Sequence, residues 1–551
     1  MRRPRLLILS SALLALALSA PVTAALLQDG KGLGPGPQWR GPISPAESNE
    51  VFATADGCSM CHSASPNAVA LRSPTGDDVS PHGLWRATLM ANAFRDPYWR
   101  AQVAKECEAA PAQKAEVEAL CLRCHAPAAH HGAALGGLLS PPIADAAKSA
   151  LARDGVNCTV CHQIQPQGLG AEETFAGKVH IGRERSIFGP YPEPSATPMK
   201  MHSSYTATHG THISKSALCG SCHTLHTEHG GARFPEQTPY LEWRNSMYED
   251  ETGRKDLSQS CQDCHMPRQG TLRIARNPAG RDFNITPRPD FAAHVFAGGN
   301  VFMLELLRAN AKELGVEAPD AALERNIQIT RRQLADLTTR VTVGEIRRAE
   351  GKLEFDVKVE NLTGHKFPTG YPSRRAWLHV EVRAGGKVIF RSGASDATGK
   401  LVGVVDELAV PHRNVIEKPE EVVVYELVGH DAQGAPTTFL TKMASRGKDT
   451  RLLPKGWRVD GPHAEDTKPI GVAGDADFTE GGDVVHFRVP VGADAPRVQV
   501  VAWVRYQSVP PAWVEALRRS QTDEAKTFVR MYDAADRSPE VAGLGARSEA
   551  Q

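Results

Sequence analysis

Five copies of one five-residue word, Cys-x-x-Cys-His, lie between residues 58 and 265 and constrain this chain more than any other feature. The copies run Cys58–His62, Cys121–His125, Cys158–His162, Cys219–His223 and Cys261–His265. Composition alone predicts about 0.01 copies by chance. Two thiols followed directly by an imidazole form the attachment signature of c-type haem. On that reading Cys58, Cys61, Cys121, Cys124, Cys158, Cys161, Cys219, Cys222, Cys261 and Cys264 bond the haem vinyl groups. The proximal iron ligands are then His62, His125, His162, His223 and His265, for five covalently bound haems.

Two other uses of paired cysteines compete. Structural zinc draws four ligands from two such knuckles, and five words leave one without a mate. Redox disulfides do not require a histidine after the second cysteine. Of eleven cysteines, ten lie in the words, leaving Cys107 as a free or buried thiol.

The N-terminus reads as a secretory signal over residues 1–24. Arg2, Arg3 and Arg5 precede an apolar run from Leu6 to Ala20, and Val22-Thr23-Ala24 offers small residues for cleavage. The run is short for a membrane span, and no later segment is apolar for long enough to make one. Thiol-linked haem and an export signal agree on a periplasmic or extracellular protein. Basic and acidic residues balance at 63 each, which argues against a general nucleic-acid or anionic-membrane binder.

Along the chain, residues 25–48 are rich in glycine and proline and read as an extended linker. Residues 49–299 form the expected pentahaem domain, of short helices and loops. Its words are spaced by 63, 37, 61 and 42 residues, too few for a separate domain around each haem. The haems themselves are therefore expected to act as the core. Within this domain a helix is expected over Leu84 to Val103, interrupted near Asp96-Pro97, and a loop over Gly189 to Met201 with its four prolines.

Residues 300–339 carry apolar residues at helical spacing and predict a helical connector. From 340 to 507 the pattern alternates, as in Leu353 to Val359, Trp377 to Val382 and Val484 to Val489, with Gly385-Gly386 as a hairpin turn. This predicts an antiparallel immunoglobulin-like β-sandwich. Residues 508–551 read as a final helix over 511–535 and a frayed tail. The expected class is α+β and multidomain.

The sixth iron ligand separates an electron carrier from a catalyst, because two strong axial ligands close the iron to small molecules. Spare histidines in the haem region are His82, His130, His131, His180, His202, His209, His212, His226, His229 and His294. The distal candidates are His294, His202, His212, His130, His180 and His82. His294 leads because it follows the last word in a segment with no other histidine. Each of them has surface or propionate contact as its bland alternative. Met90 is a weaker candidate. Two roles are open to His365, in the loop Asn361 to Gly370: touching a haem, or fixing the interface between sandwich and haem domain.

These residues resemble the multihaem cytochrome c family related to cytochrome c554, the cytochrome c-552/4 domain proteins. The resemblance is carried by the five words, Gly155 to His162, Gln237 to Trp243, Cys261 to Pro267, His294 to Asn300 and Gly364 to Gly370, and covers about residues 50–505. It implies electron transfer through packed bis-histidine haems with an appended β domain. Some wider relatives, hydroxylamine-oxidising and nitrite-reducing cytochromes, are catalytic. Here no word ends in lysine, as in nitrite reductases, and no residue announces the cross-linking tyrosine of the hydroxylamine oxidisers.

The expected function is thus a secreted pentahaem c-type cytochrome carrying electrons between redox proteins or to a terminal acceptor. The alternative is a multihaem oxidoreductase acting on a small nitrogen or sulfur compound, such as hydroxylamine or nitrite, at one five-coordinate haem.

Overall fold

In a helix, positions i, i+3 and i+4 share one face, so a Cys-x-x-Cys-His word wound as a single turn presents both thiols and the imidazole to the same side. The computed structural model, which describes residues 48–549 except 230, 254 and 493–495, winds the words that way. The first word ends the helix Asp56–His62, the second ends Lys114–His125, and the fifth is the helix Cys261–His265. The third forms Cys158–Cys161, with His162 continuing in helical backbone. The fourth begins at the end of Ser216–Gly220 and closes with a hydrogen bond from the His223 N–H to the Cys219 carbonyl, 2.9 Å. The expected signal, 1–24, and all but the last residue of the linker 25–48 lie outside the described residues.

Such short helices need their first N–H groups satisfied by side chains. Asn157 accepts from the Val160 N–H ahead of the third word, and Ser260 with Asp263 forms a capping box around the fifth. Asp96 does the same for Pro97–Ala109, accepting from Tyr98 and Trp99. The helix expected over Leu84 to Val103 is therefore not continuous: Pro81–Trp85 ends early, turns follow over 86–95, and Asp96-Pro97 starts a new helix. The proline-rich stretch 189–201, expected as a loop, runs into the helix Ala196–Ser203. Pro198 is its third residue, where the missing N–H would have had no intrahelical acceptor, so the helix tolerates it.

The connector forms helices Val301–Ala309, Ala311–Leu314 and Asp320–Leu337. The strands that follow are numbered in chain order. They are β1 (Thr339–Val343), β2 (Arg347–Ala349), β3 (Lys352–Asn361), β4 (Arg375–Ala384) and β5 (Lys387–Ser392). Then come β6 (Val415–Ile416), β7 (Val424–His430), β8 (Ser445–Asp449), β9 (Gly482–Pro490), β10 (Val498–Gln507) and β11 (Glu540–Ser548). One sheet has the order β6-β9-β3-β1, with β2 on β3; the other has β8-β7-β4-β10-β11, with β5 on β4. Their inner faces share one core, in which Leu353, Phe355, Val357 and Val359 of β3 meet Leu378, Val380, Val382, Val500, Ala502 and Val504 of β4 and β10. Gly385 and Gly386 turn the β4–β5 hairpin with φ of 53° and 80°, backbone that favours glycine.

Two details depart from expectation. The β6–β9 pairing is parallel, so the sandwich is not wholly antiparallel. The tail is not a frayed extension of one helix. Helices Pro511–Arg519 and Asp523–Ala534 are separate, and β11 pairs with β10 along its length. The alternation that marks a strand is broken in β11 by Gly543 and Gly545. A Cβ on either would stand within 3 Å of β1, at 2.3 Å from Thr339 and 2.6 Å from the Val341 carbonyl, so close approach selects glycine there.

The two halves are joined by apolar and polar contacts. Val514, Leu517, Phe528 and Met531 of the C-terminal helices pack on Tyr98 and Ala101. Glu106, on that same helix, accepts from the Leu440 and Thr441 N–H groups of the sandwich. Apolar residues of the word region gather in small separate clusters, such as Val51, Phe52, Ala128, Leu151 and Val160.

Candidate functional site

The site is built from the five words and the side chains that the fold brings to them. All ten word cysteines are half-buried and free, whereas Cys107 is buried. The words lie close to one another. The Cys158 thiol is pushed up by Cys58, that of Cys124 by Cys222 and that of Cys219 by Cys261, each together with burial. Yet no four thiols converge among the described residues. Among the described residues, the His, Cys, Asp and Glu group whose ligand atoms all lie within 4.8 Å of one another is His412, Asp475 and Asp483, far in sequence from any word. A tetrahedral zinc site of four thiolates is therefore not what the words build.

The imidazoles are oriented instead. A ligating histidine is usually fixed by a hydrogen bond from its other ring nitrogen. The Nδ1 of His62 pairs with the Ile274 carbonyl at 3.0 Å, that of His125 with Ala93 at 3.0 Å and that of His162 with Phe188 at 2.7 Å. His265 pairs likewise with the Ala297 carbonyl. A carbonyl only accepts, so Nδ1 carries the proton and Nε2 keeps its lone pair. Burial lowers the pKa of all four rings and favours this neutral, ligating form.

Two of these rings face a second imidazole. His162 and His294 have centroids 6.3 Å apart and planes within 19°; His265 and His365 have centroids 6.3 Å apart and planes within 8°. That is too far for face-to-face contact. An imidazole nitrogen lies about 1.1 Å from its ring centroid and a metal–imidazole bond runs about 2.0–2.1 Å, so rings across one metal have centroids roughly 6.3 Å apart. The opposing rings are also tied by Nδ1: His294 to the Ala292 carbonyl at 3.0 Å and His365 to the Lys366 carbonyl at 2.8 Å. All four Nε2 atoms are thereby left for a metal. The donor set of two thiols and two opposed neutral imidazoles fits a covalently attached haem at the third and fifth words.

His365 reaches the fifth word because its loop, between β3 and β4, is held by buried charge. Lys366, fully buried, pairs with Asp449 at 2.8 Å, and Arg451 bridges Asp449 (2.8 Å) to Glu242 (2.9 Å). Glu242, in the helix Pro239–Arg244, also accepts from the Lys366 N–H at 3.0 Å and the Thr369 hydroxyl at 2.6 Å. Asn361 donates to the His365 carbonyl at 2.8 Å. A Cβ on Gly364 would meet Trp243 at 3.1 Å and Tyr248 at 3.2 Å, so only glycine allows this approach without displacement. Burial pushes Glu242 and Asp449 upward, but Arg451 and Lys366 outweigh it and hold both carboxyls below their ordinary values. Burial brings Lys366 down to about 8.

The remaining sequence candidates are placed as follows. His202 and His180 are exposed on the surface. His212 bonds the Ile164 carbonyl through Nε2 at 2.9 Å and packs edge-on to Phe188. His130 pairs with the Ser140 hydroxyl at 3.0 Å. His82 is buried beside the first word, 3.1 Å from the Ser63 hydroxyl and 3.8 Å from Asp56. Met90 engages through its backbone carbonyl, which accepts from the Ala93 and Val156 N–H groups. His131, not singled out among the distal candidates, has a buried Nε2 with no hydrogen-bond partner. The Glu242–Arg451–Asp449–Lys366 network has no sequence signature either, because only Asp449 and Arg451 are near in sequence and Glu242 and Lys366 come from distant segments.

No protein-family model matches this chain, and no curated protein matches it. Among solved structures, it is similar to a penta-haem cytochrome c552 from Thermochromatium tepidum, with 18% identity over 78% of this chain and 83% of that one and a TM-score of 0.44. A likeness at that score carries no weight here; the residues themselves carry the functional reading.

Proposed function

We propose that this protein is a multihaem c-type cytochrome that carries electrons between redox partners outside the cytoplasm. One observation carries the reading: two word histidines stand opposite second imidazoles at the separation of a shared metal, with every Nδ1 committed to a carbonyl. Haem iron, when bound, cycles between ferrous and ferric states and so carries one electron. The chain's contribution is to hold ten thiols for attachment, keep the imidazoles neutral and orient them. His294 is the distal partner of His162, and His365 that of His265. For the other three words the candidates are His82, beside the first, and His130 and His131, ahead of His212, whereas His202 and His180 lie exposed on the surface. Small apolar clusters in the word region support prosthetic groups as its core. Thiols of one word close enough to push up a thiol of another support haems packed closely enough for exchange.

A second reading, an oxidoreductase acting on hydroxylamine, nitrite or a related compound at one five-coordinate iron, is favoured by the surroundings of the second word. Tyr371 has a buried hydroxyl without a partner, Tyr98 packs edge-on to it, and Glu236 is buried with its carboxyl pushed up to about 8. Tyr371 feels the charges of Glu236, Glu106 and Cys121. Protonatable groups beside an open iron would suit small-molecule chemistry.

Paramagnetic resonance and optical spectra of the oxidised protein distinguish the two. Wholly low-spin iron, unchanged by nitrite, hydroxylamine or carbon monoxide, is the expected result. A high-spin iron that responds to these ligands would replace the carrier reading with the enzyme.

A further inference from the structure

Away from the words, at the rim of the sandwich, three side chains converge. His412, Asp475 and Asp483 each offer a ligand atom within 4.8 Å of the other two. His412 Nε2 lies 2.7 Å from Asp475 Oδ2, with side chains only 5% and 2% exposed. The other Asp475 oxygen accepts from the Asp477 and Phe478 N–H groups at 3.0 and 3.1 Å, which fixes the carboxylate. Asp483 is 2% exposed. Its Oδ2 accepts from the Tyr425 hydroxyl at 2.9 Å, but its Oδ1 is buried with no partner, as is His412 Nδ1.

Two buried carboxyls beside one imidazole repel each other as anions, and burial together with Asp475 pushes Asp483 up to about 7, so the group takes either a proton or a cation to balance it. Lys448, which lies near His412, is committed to Glu426 at 2.9 Å and to the Val410 carbonyl at 2.7 Å. A cation would resolve the imbalance, and the orphaned Asp483 oxygen supplies a ligand atom already stripped of water. The donor chemistry selects among cations. Calcium and magnesium take oxygen ligands, whereas an imidazole with carboxylates suits zinc and its neighbours in the transition series.

We propose that His412, Asp475 and Asp483 bind one divalent transition-metal ion of the zinc class as a structural clasp. Asp483 opens β9 in one sheet and is held by Tyr425 of β7 in the other, while His412 and Asp475 lie on two separate loops. The ion would join the three segments that carry its ligands, with β7 tied in through Tyr425 on Asp483, and a set without thiols does not suit haem.

The test uses the full-length holoprotein, stripped with a chelator and titrated with zinc chloride alone. Metal content is read by mass spectrometry and unfolding by calorimetry. One zinc retained per chain and a melting temperature raised by several degrees are expected, as for any ligand binding only the native state. Asp483→Asn and His412→Ala should bind zinc about 100-fold more weakly, with an unchanged haem spectrum showing that they fold. If either variant fails to fold, the wild-type titration decides alone. No stoichiometric zinc in the wild type, equal affinity in folded variants, or preference for calcium would each overturn the proposal.

Discussion

The imidazoles of His265 and His365 lie parallel within 8° with centroids 6.3 Å apart, although one ends a helical word and the other belongs to a loop between β3 and β4 of the sandwich. The β domain thus brings a second imidazole beside the last word's histidine. Replacing His365 by alanine should open one axial position and leave the others closed. In the oxidised protein, paramagnetic resonance should show about one high-spin iron per chain, with iron content unchanged. A fully low-spin spectrum from this variant would remove His365 from the ligand set.

The third word offers a parallel case with an internal control. His294 stands opposite His162 at 6.3 Å, whereas His202 is exposed on a helix. His294→Ala should therefore yield one high-spin iron and His202→Ala none. Equal spectra for the two variants would contradict the assignment.

How much of this is legible in the sequence depends on whether local residues or distant contacts set the geometry. The words are legible because attachment and proximal ligation need fixed spacing over five residues. The strands are legible because a half-buried strand alternates, as Leu353 to Val359 does. His294 can be ranked from its isolation after the last word. His365 cannot be separated from an interface role, because only the folded loop shows it opposite His265. β11 escapes a sequence reading for a physical reason: Gly543 and Gly545 accommodate β1 at close range and erase the alternation. The buried charges around Glu242 leave no trace in any local window, since Lys366, Asp449 and Arg451 meet it only through tertiary packing.

Those charges make a stability prediction. Glu242 is fully buried and receives Arg451, the Lys366 N–H and the Thr369 hydroxyl. Removing one partner of a buried, fully bonded ion network typically costs about 3–5 kcal/mol, because the remaining charge stays desolvated. Glu242→Ala should lower stability by that amount in guanidinium unfolding, and the loosened loop should weaken His365 ligation. A loss under about 1 kcal/mol would place Glu242 among solvent-screened pairs instead.

The same network fixes the sign of an acid response. The carboxyls of Glu242 and Asp449 are held below their ordinary values of 4.5 and 3.8, with burial opposed and outweighed by Arg451 and Lys366. As pH falls below those ordinary values, the unfolded chain takes up protons that the folded protein refuses. Stability must then decline, since it rises with pH wherever the unfolded state holds more protons. The contribution is complete above the ordinary carboxylate values and disappears as pH drops through the folded ones. Denaturation midpoints of the wild type should accordingly fall steadily from about pH 5 downward. Glu242→Gln removes one of the two titrating groups, so its midpoint should start lower and fall less steeply over the same range. Parallel curves for the two proteins would show that other carboxylates set the acid limit.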